Sequence, residues 1–321
     1  MALHGLAPAR PVRWIGVDFD ATVAGDARMR LPPEFLRDLS EQVSATAAAG
    51  GRISDSDANR LIGRAARVAF VVPAAAPFAA ALRAALFDAR QVASASRGHG
   101  QRSSHSCVRF AVAAAWFRAL LSDLPVDGRT QMPLERVVSA DRPPALVAGQ
   151  CDALVFDASP WGGGVVRFSG SRPVETLTLK WSEDLCRRLG VRSGESRFLP
   201  FFEALTALIA LVRWGGPGGL KELALVGDNL GALTAAVSQK GKGDVARVCR
   251  EFALRQARWG TVIAVGHLPS ALNTWADALS RVFAPSPPAI PPELAVLPVV
   301  QPPSLDDVFC IALAGGQQER E

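Results

Sequence analysis

The chain has no tyrosine in 321 residues, three methionines, four histidines and five cysteines. The cysteines (Cys107, Cys151, Cys186, Cys249 and Cys310) are odd in number, widely spaced and never paired as Cys-x-x-Cys. That pattern argues against a disulfide framework or a zinc site, and it fits a reducing compartment. No window approaches the roughly 18 uninterrupted apolar residues of a membrane helix. The N-terminus carries no basic-then-apolar signal segment. The expectation is a soluble intracellular chain, cytoplasmic or nuclear, with no membrane partner. There is no internal repeat, and the lack of tyrosine reads as compositional bias.

What is present is a globular composition, 49% hydrophobic and 20% charged, rich enough in alanine to predict many helices. The formal net charge is +5. Arginine supplies most of the positive charge and suits phosphate through its planar fork of donors. A polyanionic partner is compatible with this balance, and so is a plain solvated basic surface.

Residues 12–19 read as a short strand that runs into "WIGVDFDATVAG" (14–25). Its Asp18-x-Asp20-x-Thr22 pattern resembles the way haloacid-dehalogenase-type phosphatases present a nucleophilic aspartate and its acid/base partner. Such an enzyme also needs a lysine and an acidic group on parallel strands, for which Lys180 and Asp228 are candidates. The other account makes Asp18 and Asp20 polar residues of an edge strand. Helices follow in "LPPEFLRDLSEQVSATAAAGG", "ISDSDANRLIGRAARVAFVV", "APFAAALRAALFDAR" and "CVRFAVAAAWFRALLSDL", and the near absence of strands there weighs against a phosphatase. Between the last two lies a basic Gly/Ser-rich loop, 94–106, with Arg97, Arg102 and His105. A connector leads on from residue 125.

From about residue 148 the texture changes. "DALVFDAS", "GGVVRFSG" and "VETLTLKW" are short β-rich runs separated by turn residues and predict a meander. "SRFLPFFEALTALIALVRWG" predicts a helix, "ELALVGDN" a strand, "LGALTAAVSQK" and "DVARVCREFALRQARWG" helices, "TVIAVGHLP" the last strand and "NTWADALSRVF" the last helix. After Phe283 the chain is proline-dense and is expected to be an extended, disordered tail.

Four acidic residues fall at telling places in this order. Asp157 lies near the end of the first strand, Glu203 in the first helix, Asp228 at the end of the fourth strand and Asp277 in the final helix. Glu203 is flanked by apolar residues, a costly position unless that helix face looks onto a polar site. Converging carboxylates repel one another, and oxygen-only ligands favour magnesium or manganese over zinc. Two such ions about 3.5–4 Å apart activate a water and stabilise the leaving oxygen of a phosphodiester.

On these pieces, "FDAS" with Trp161 and Gly162–Gly164, "FFEALTAL", "VGDN" and "N..ADALSR", residues 151–283 resemble a ribonuclease H domain of a retroelement reverse transcriptase. The spacings are 46 (157 to 203), 25 (203 to 228) and 49 (228 to 277) residues. The resemblance implies an α/β fold with a mixed five-stranded sheet, its strands one to three antiparallel and four and five parallel to strand one. It implies two Mg2+ or Mn2+ ions held by Asp157, Glu203, Asp228 and Asp277, and hydrolysis of the RNA strand of an RNA–DNA hybrid. The upstream part, with its order of strand and helices, is similar to a palm end and thumb of the DIRS-like, tyrosine-recombinase group. The Tyr-x-Asp-Asp type turn of the polymerase palm is absent; the one Asp-Asp pair, Asp306-Asp307, lies near the C-terminus. DNA synthesis by this chain alone is therefore not expected, and the missing polymerase half is a candidate partner.

The expected organisation is 1–90 palm end and thumb, 91–148 linker and connection helix, 149–284 ribonuclease H-like domain and 285–321 tail. Several side chains carry two readings. His267 either assists proton transfer or is satisfied locally at a strand end. Asn229 either orients water or substrate, or caps a helix. Asp277 either completes the ligand set or faces solvent. Ser159, Trp161 and Gly162 are candidates for substrate contact, with the glycines forming a turn that lets a nucleic-acid backbone approach; packing is the alternative for Trp161. A catalytically inactive nucleic-acid-binding remnant is the competing function.

Overall fold

The computed structural model describes residues 12–14, 16–21, 27–95, 104–105, 108–122, 133–138 and 151–309. These fall into two compact units, one made from the described residues up to Ser122 together with 133–138, the other from 151–309.

In the first unit, strands β1 (Val12–Trp14), β2 (Val17–Ala21), β3 (Ala27–Arg30) and β6 (Glu135–Val138) form a sheet in the order β1-β2-β3-β6, antiparallel throughout. The stretch expected as one edge strand is thus a hairpin bent at Gly16, whose φ of +70° suits glycine. Asp18 and Asp20 lie on an interior strand. Arg13 grips Asp18 at 2.6 and 3.0 Å. Asp18 and Asp20 thus lie in a sheet that is antiparallel throughout, not on the parallel-strand platform that a phosphatase requires, which overturns that reading.

Helices α1 (Pro33–Ala48), α2 (Asp55–Val71), α3 (Ala76–Ala95) and α4 (Val108–Leu121) make up the rest of this unit. Strand β4 (Ile53–Ser54) pairs with β5 (Ser104–His105). Ser54 caps α2 by accepting from the Asp57 N–H at 3.1 Å. One stripe of α2, comprising Ala58, Leu61, Ala65 and Val68, is fully buried, the outcome of apolar residues spaced three and four apart. Helix α4, assigned from sequence to a connection, packs against α1 and α3. Of the basic loop, Ser104 and His105 lie in β5, whereas Arg97 and Arg102 lie outside the described residues.

The second unit begins with the meander β7 (Asp152–Ala158), β8 (Gly162–Ser169) and β9 (Arg172–Lys180). It continues through α5 (Glu183–Leu189), α6 (Leu199–Trp214), β10 (Glu222–Gly227), α7 (Leu230–Ser238), α8 (Val245–Trp259), β11 (Val262–His267) and α9 (Thr274–Ser280). The sheet order is β11-β10-β7-β8-β9. Strands β7, β8 and β9 run antiparallel, and β10 and β11 run parallel to β7. This is the mixed five-stranded arrangement expected from the sequence. Helix α5, capped by Ser182 and closed by Gly190 at φ +68°, was not anticipated. Helix α6 is buried on almost every side, in keeping with its near-continuous apolar sequence. No described helix is long and apolar enough to cross a membrane.

Two expectations are corrected here. Gly162, Gly163 and Gly164 do not form a turn; they open β8, and the turn is Ser159–Trp161. Each glycine admits a neighbour where a side chain would collide. A Cβ on Gly163 would lie 2.6 Å from Thr206 Oγ1 of α6, and one on Gly164 would lie 2.6 Å from the Ala276 carbonyl of α9.

Of the proline-dense stretch expected as a tail, 285–290 are exposed, but 291–309 are docked on the second unit. The Thr176 N–H donates to the Pro298 carbonyl (2.9 Å) and the Val300 N–H to the Thr176 carbonyl (2.8 Å), which covers the outer edge of β9. Proline is tolerated because only its carbonyl is used there. Short helices α10 (Pro292–Ala295) and α11 (Leu305–Val308) bury Leu294, Val308 and Phe309. Apolar residues dispersed among the prolines give the segment a face to dock. Residues 310–321 lie outside the described residues.

Gly164→Ala should therefore lower the unfolding free energy by about 1–3 kcal/mol through overpacking against α9. Thermal denaturation followed by circular dichroism measures this, and an unchanged midpoint would contradict the tight helix–strand contact.

Candidate active site

Parallel pairing of β7 and β10 decides where the acidic residues meet. Val226 is level with Val155, so two residues further on Asp228 comes level with Asp157, one strand spacing of about 4.8 Å away. Helix α6 brings Glu203 to the same point. Oxygens of Asp157, Glu203 and Asp228 all lie within 4.8 Å of one another. Asp157 and Glu203 are 6% and 4% exposed, and Asp228 is half-buried.

Burial of this kind disfavours the charged form. Desolvation, with Asp228 and Asp277 adding repulsion, pushes Asp157 up to about 7, against the pull of the Ser280 hydroxyl. Desolvation first, then the charges of Asp157 and Asp228, push Glu203 up to about 9. Glu203 Oε2 is buried without a hydrogen-bond partner. A buried, unpartnered oxygen on a carboxylate that clusters with two others is what a hard divalent cation would satisfy, and the donor set is all oxygen. The residues fit such an ion.

Asp277 does not join the three. Its Oδ1 accepts from Arg281 Nε at 2.7 Å, and its side chain is 42% exposed. It is still close enough to raise both Asp157 and Glu203. His267 is exposed at the end of β11, level with Gly227 and so next to Asp228. Asn229 is a helix cap, accepting from the Ala232 N–H at 3.0 Å.

The Ser159 hydroxyl accepts from the N–H groups of Trp161 and Gly162 (both 3.2 Å) and donates to the Ser280 carbonyl at 2.7 Å. Trp161 is half-buried, its carbonyl accepting from the Trp181 N–H at 3.1 Å, and Gly162 is buried. The structure thus gives Ser159 and Gly162 internal packing and bonding rather than an open face.

Two residues escaped the sequence reading. Ser280 donates to Asp157 Oδ2 at 2.8 Å and to the Asp277 carbonyl at 2.9 Å, sharing one proton. Asn273 Nδ2 donates to the Phe156 carbonyl at 3.1 Å, tying the start of α9 to β7. They are seven apart, two helical turns, and hence on one face. That spacing was visible in "NTWADALS", where only the aspartate drew attention.

No protein-family model matches the chain, and no curated protein does. Among solved structures the chain is similar to RNase H1 from the halophilic archaeon Halobacterium salinarum NRC-1. The identity is 22% and the TM-score 0.28, over 40% of this chain and 92% of that one.

The raised carboxyls carry a sign. A group protonated more readily in the folded than in the unfolded state favours folding fully below its unfolded pKa, and that contribution is lost as pH rises toward the folded value. For Glu203 the window runs from about 4.5 to about 9. Without divalent cations, Glu203→Gln should stabilise the protein at pH 8 by about 2–4 kcal/mol and leave it nearly unchanged at pH 4. Urea denaturation at both pH values tests this; equal effects at both would refute the burial argument.

Proposed function

We propose that the second unit is a metal-dependent nuclease that hydrolyses the RNA strand of RNA–DNA hybrids. The observation that carries this reading is the convergence of Asp157, Glu203 and Asp228 within 4.8 Å at one end of a ribonuclease H-like sheet. Two Mg2+ or Mn2+ ions are the proposed occupants, held by these three carboxylates and, with Arg281 displaced, by Asp277. When bound, such ions lower the pKa of an attacking water and stabilise the oxygen leaving phosphorus.

The chain's own residues have distinct tasks in this reading. Ser280 holds Asp157 in one rotamer. Glu203, protonated near neutrality in the cation-free protein, gives up its proton as a cation enters, so affinity rises with pH. His267, exposed beside the strand that leads into Asp228, would carry a proton to or from solvent in this reading. Recognition would rest on groove width and 2′-hydroxyls, with little dependence on sequence.

The upstream helical unit is read with it as a thumb and connection region of a DIRS-like reverse transcriptase, whose polymerase half is the proposed partner. The order of helices upstream of the nuclease-like unit supports this.

A labelled RNA–DNA hybrid incubated with the full chain and Mg2+ tests the proposal. Cleavage is expected, and Asp157→Asn should reduce it by at least about a hundredfold while hybrid binding persists. Ser280→Ala should cost about 10–100-fold, the range for residues that orient a ligand. Hybrid binding with no cleavage by the intact chain in either Mg2+ or Mn2+ would favour the inactive remnant instead.

A further inference from the structure

We propose that the proline-rich segment from Pro291 to Phe309 is a clamp that seats α9 and thereby sets Ser280 against Asp157, with Leu294 and Leu297 as positioning residues for the acidic site. The inference rests on the nuclease reading for what the site does; the clamp itself stands on packing alone.

Helix α9 has seven residues, too few to hold its shape by its own hydrogen bonds. Its position comes from what touches it. One face is tied to the sheet through Ser280 and Asn273, at Asp157 and the Phe156 carbonyl. Another face enters an apolar cluster of Val166 from β8, Leu279 from α9 and Leu294 from the clamp. Phe168, Trp275 and Leu297 pack on that cluster, with Trp275 stacked on Phe168 at 6.0 Å. Leu279 and Trp275 belong to α9, so the clamp presses on the helix that supplies the hydroxyl bonded to Asp157. Ser280 directly follows Leu279, and a slip of that side chain moves the hydroxyl with it.

The clamp is anchored at two places. Near Leu294 it is bonded to Thr176 on β9 through Pro298 and Val300. At the far end Ser304 and Asp307 form a capping box. Asp306 pairs with Arg188, and the Asp307 carbonyl accepts from the buried Arg255. Between the anchors the segment spans a cavity of about 360 Å³ walled by Leu179, Ile209, Phe283, Val299 and Val308. Prolines 291, 292, 298, 302 and 303 restrict the unfolded segment and reduce the entropy lost on docking.

The test uses the full chain, with amide hydrogen exchange read by mass spectrometry and Mn2+ binding read by calorimetry. Leu294→Ala is expected to speed exchange over residues 275–281 by about tenfold or more, and to weaken Mn2+ binding by about tenfold. Leu294→Met should restore both. Leu254→Ala, an equally buried position on α8, should lose stability without either local effect. If Leu294→Ala fails to fold, Leu297→Ala carries the same expectations.

Unchanged exchange over 275–281, or faster exchange with full Mn2+ affinity, overturns the clamp. So does equal weakening in Leu254→Ala. A protein that binds no Mn2+ and cuts no hybrid, but still loosens α9 in Leu294→Ala, supports the clamp while sinking the nuclease reading.

Discussion

Like charges brought together in a low-dielectric interior repel strongly, and the second unit is arranged around tolerating that repulsion. Asp157, Glu203 and Asp228 come from a strand end, a helix and a second strand end, and meet within 4.8 Å. Without a counter-cation, burial and mutual repulsion push Asp157 up to about 7 and Glu203 up to about 9, so that Glu203 holds its proton at neutral pH. Burying carboxylates in this state costs stability, so the arrangement makes physical sense as a site that gains on binding a hard cation. The surrounding fold supplies the rigidity that holds the groups together in the meantime.

That rigidity is mostly backbone and apolar packing. Parallel pairing of β7 with β10 sets two of the carboxylates level, and the buried helix α6 fixes the third. Helix α9 lies close to β8 only because Gly164 presents no Cβ to it, and α6 approaches Gly163 for the same reason. The glycines thus serve the site indirectly, by letting the elements that carry Glu203 and Ser280 come close. The same closeness leaves a short helix dependent on neighbours, among them the covering segment that also completes the edge of β9.

Much of this was legible before any coordinates. The β-rich run "DALVFDAS", the apolar residues flanking Glu203 and the cap option at Asn229 are local signals, and each led to the right element. Signals that failed were also local. Asp18-x-Asp20 resembles a nucleophile motif, yet Gly16 turns the chain into an antiparallel hairpin in which Arg13 holds Asp18. Proline density after Phe283 reads as solvated chain because proline removes backbone donors. It does not reveal that Leu294, Val308 and Phe309 would find apolar partners far back in the sequence.

By itself, then, the sequence determined the order of strands and of the helices other than α5 over residues 152–280 of the second unit, the strand and helix that carry each acidic residue, and the oxygen-only chemistry that points to a hard cation. Those follow from periodicity, capping and side-chain type, which act over a few residues. Only the tertiary structure decided that three of the four carboxylates converge while Asp277 turns to Arg281, that Ser280 is the residue bonded to Asp157, and that the last proline-rich stretch belongs to the fold. Each of these depends on which surfaces meet across more than a hundred residues of chain in the case of Ser280 and Asp157, and no local preference encodes such a meeting.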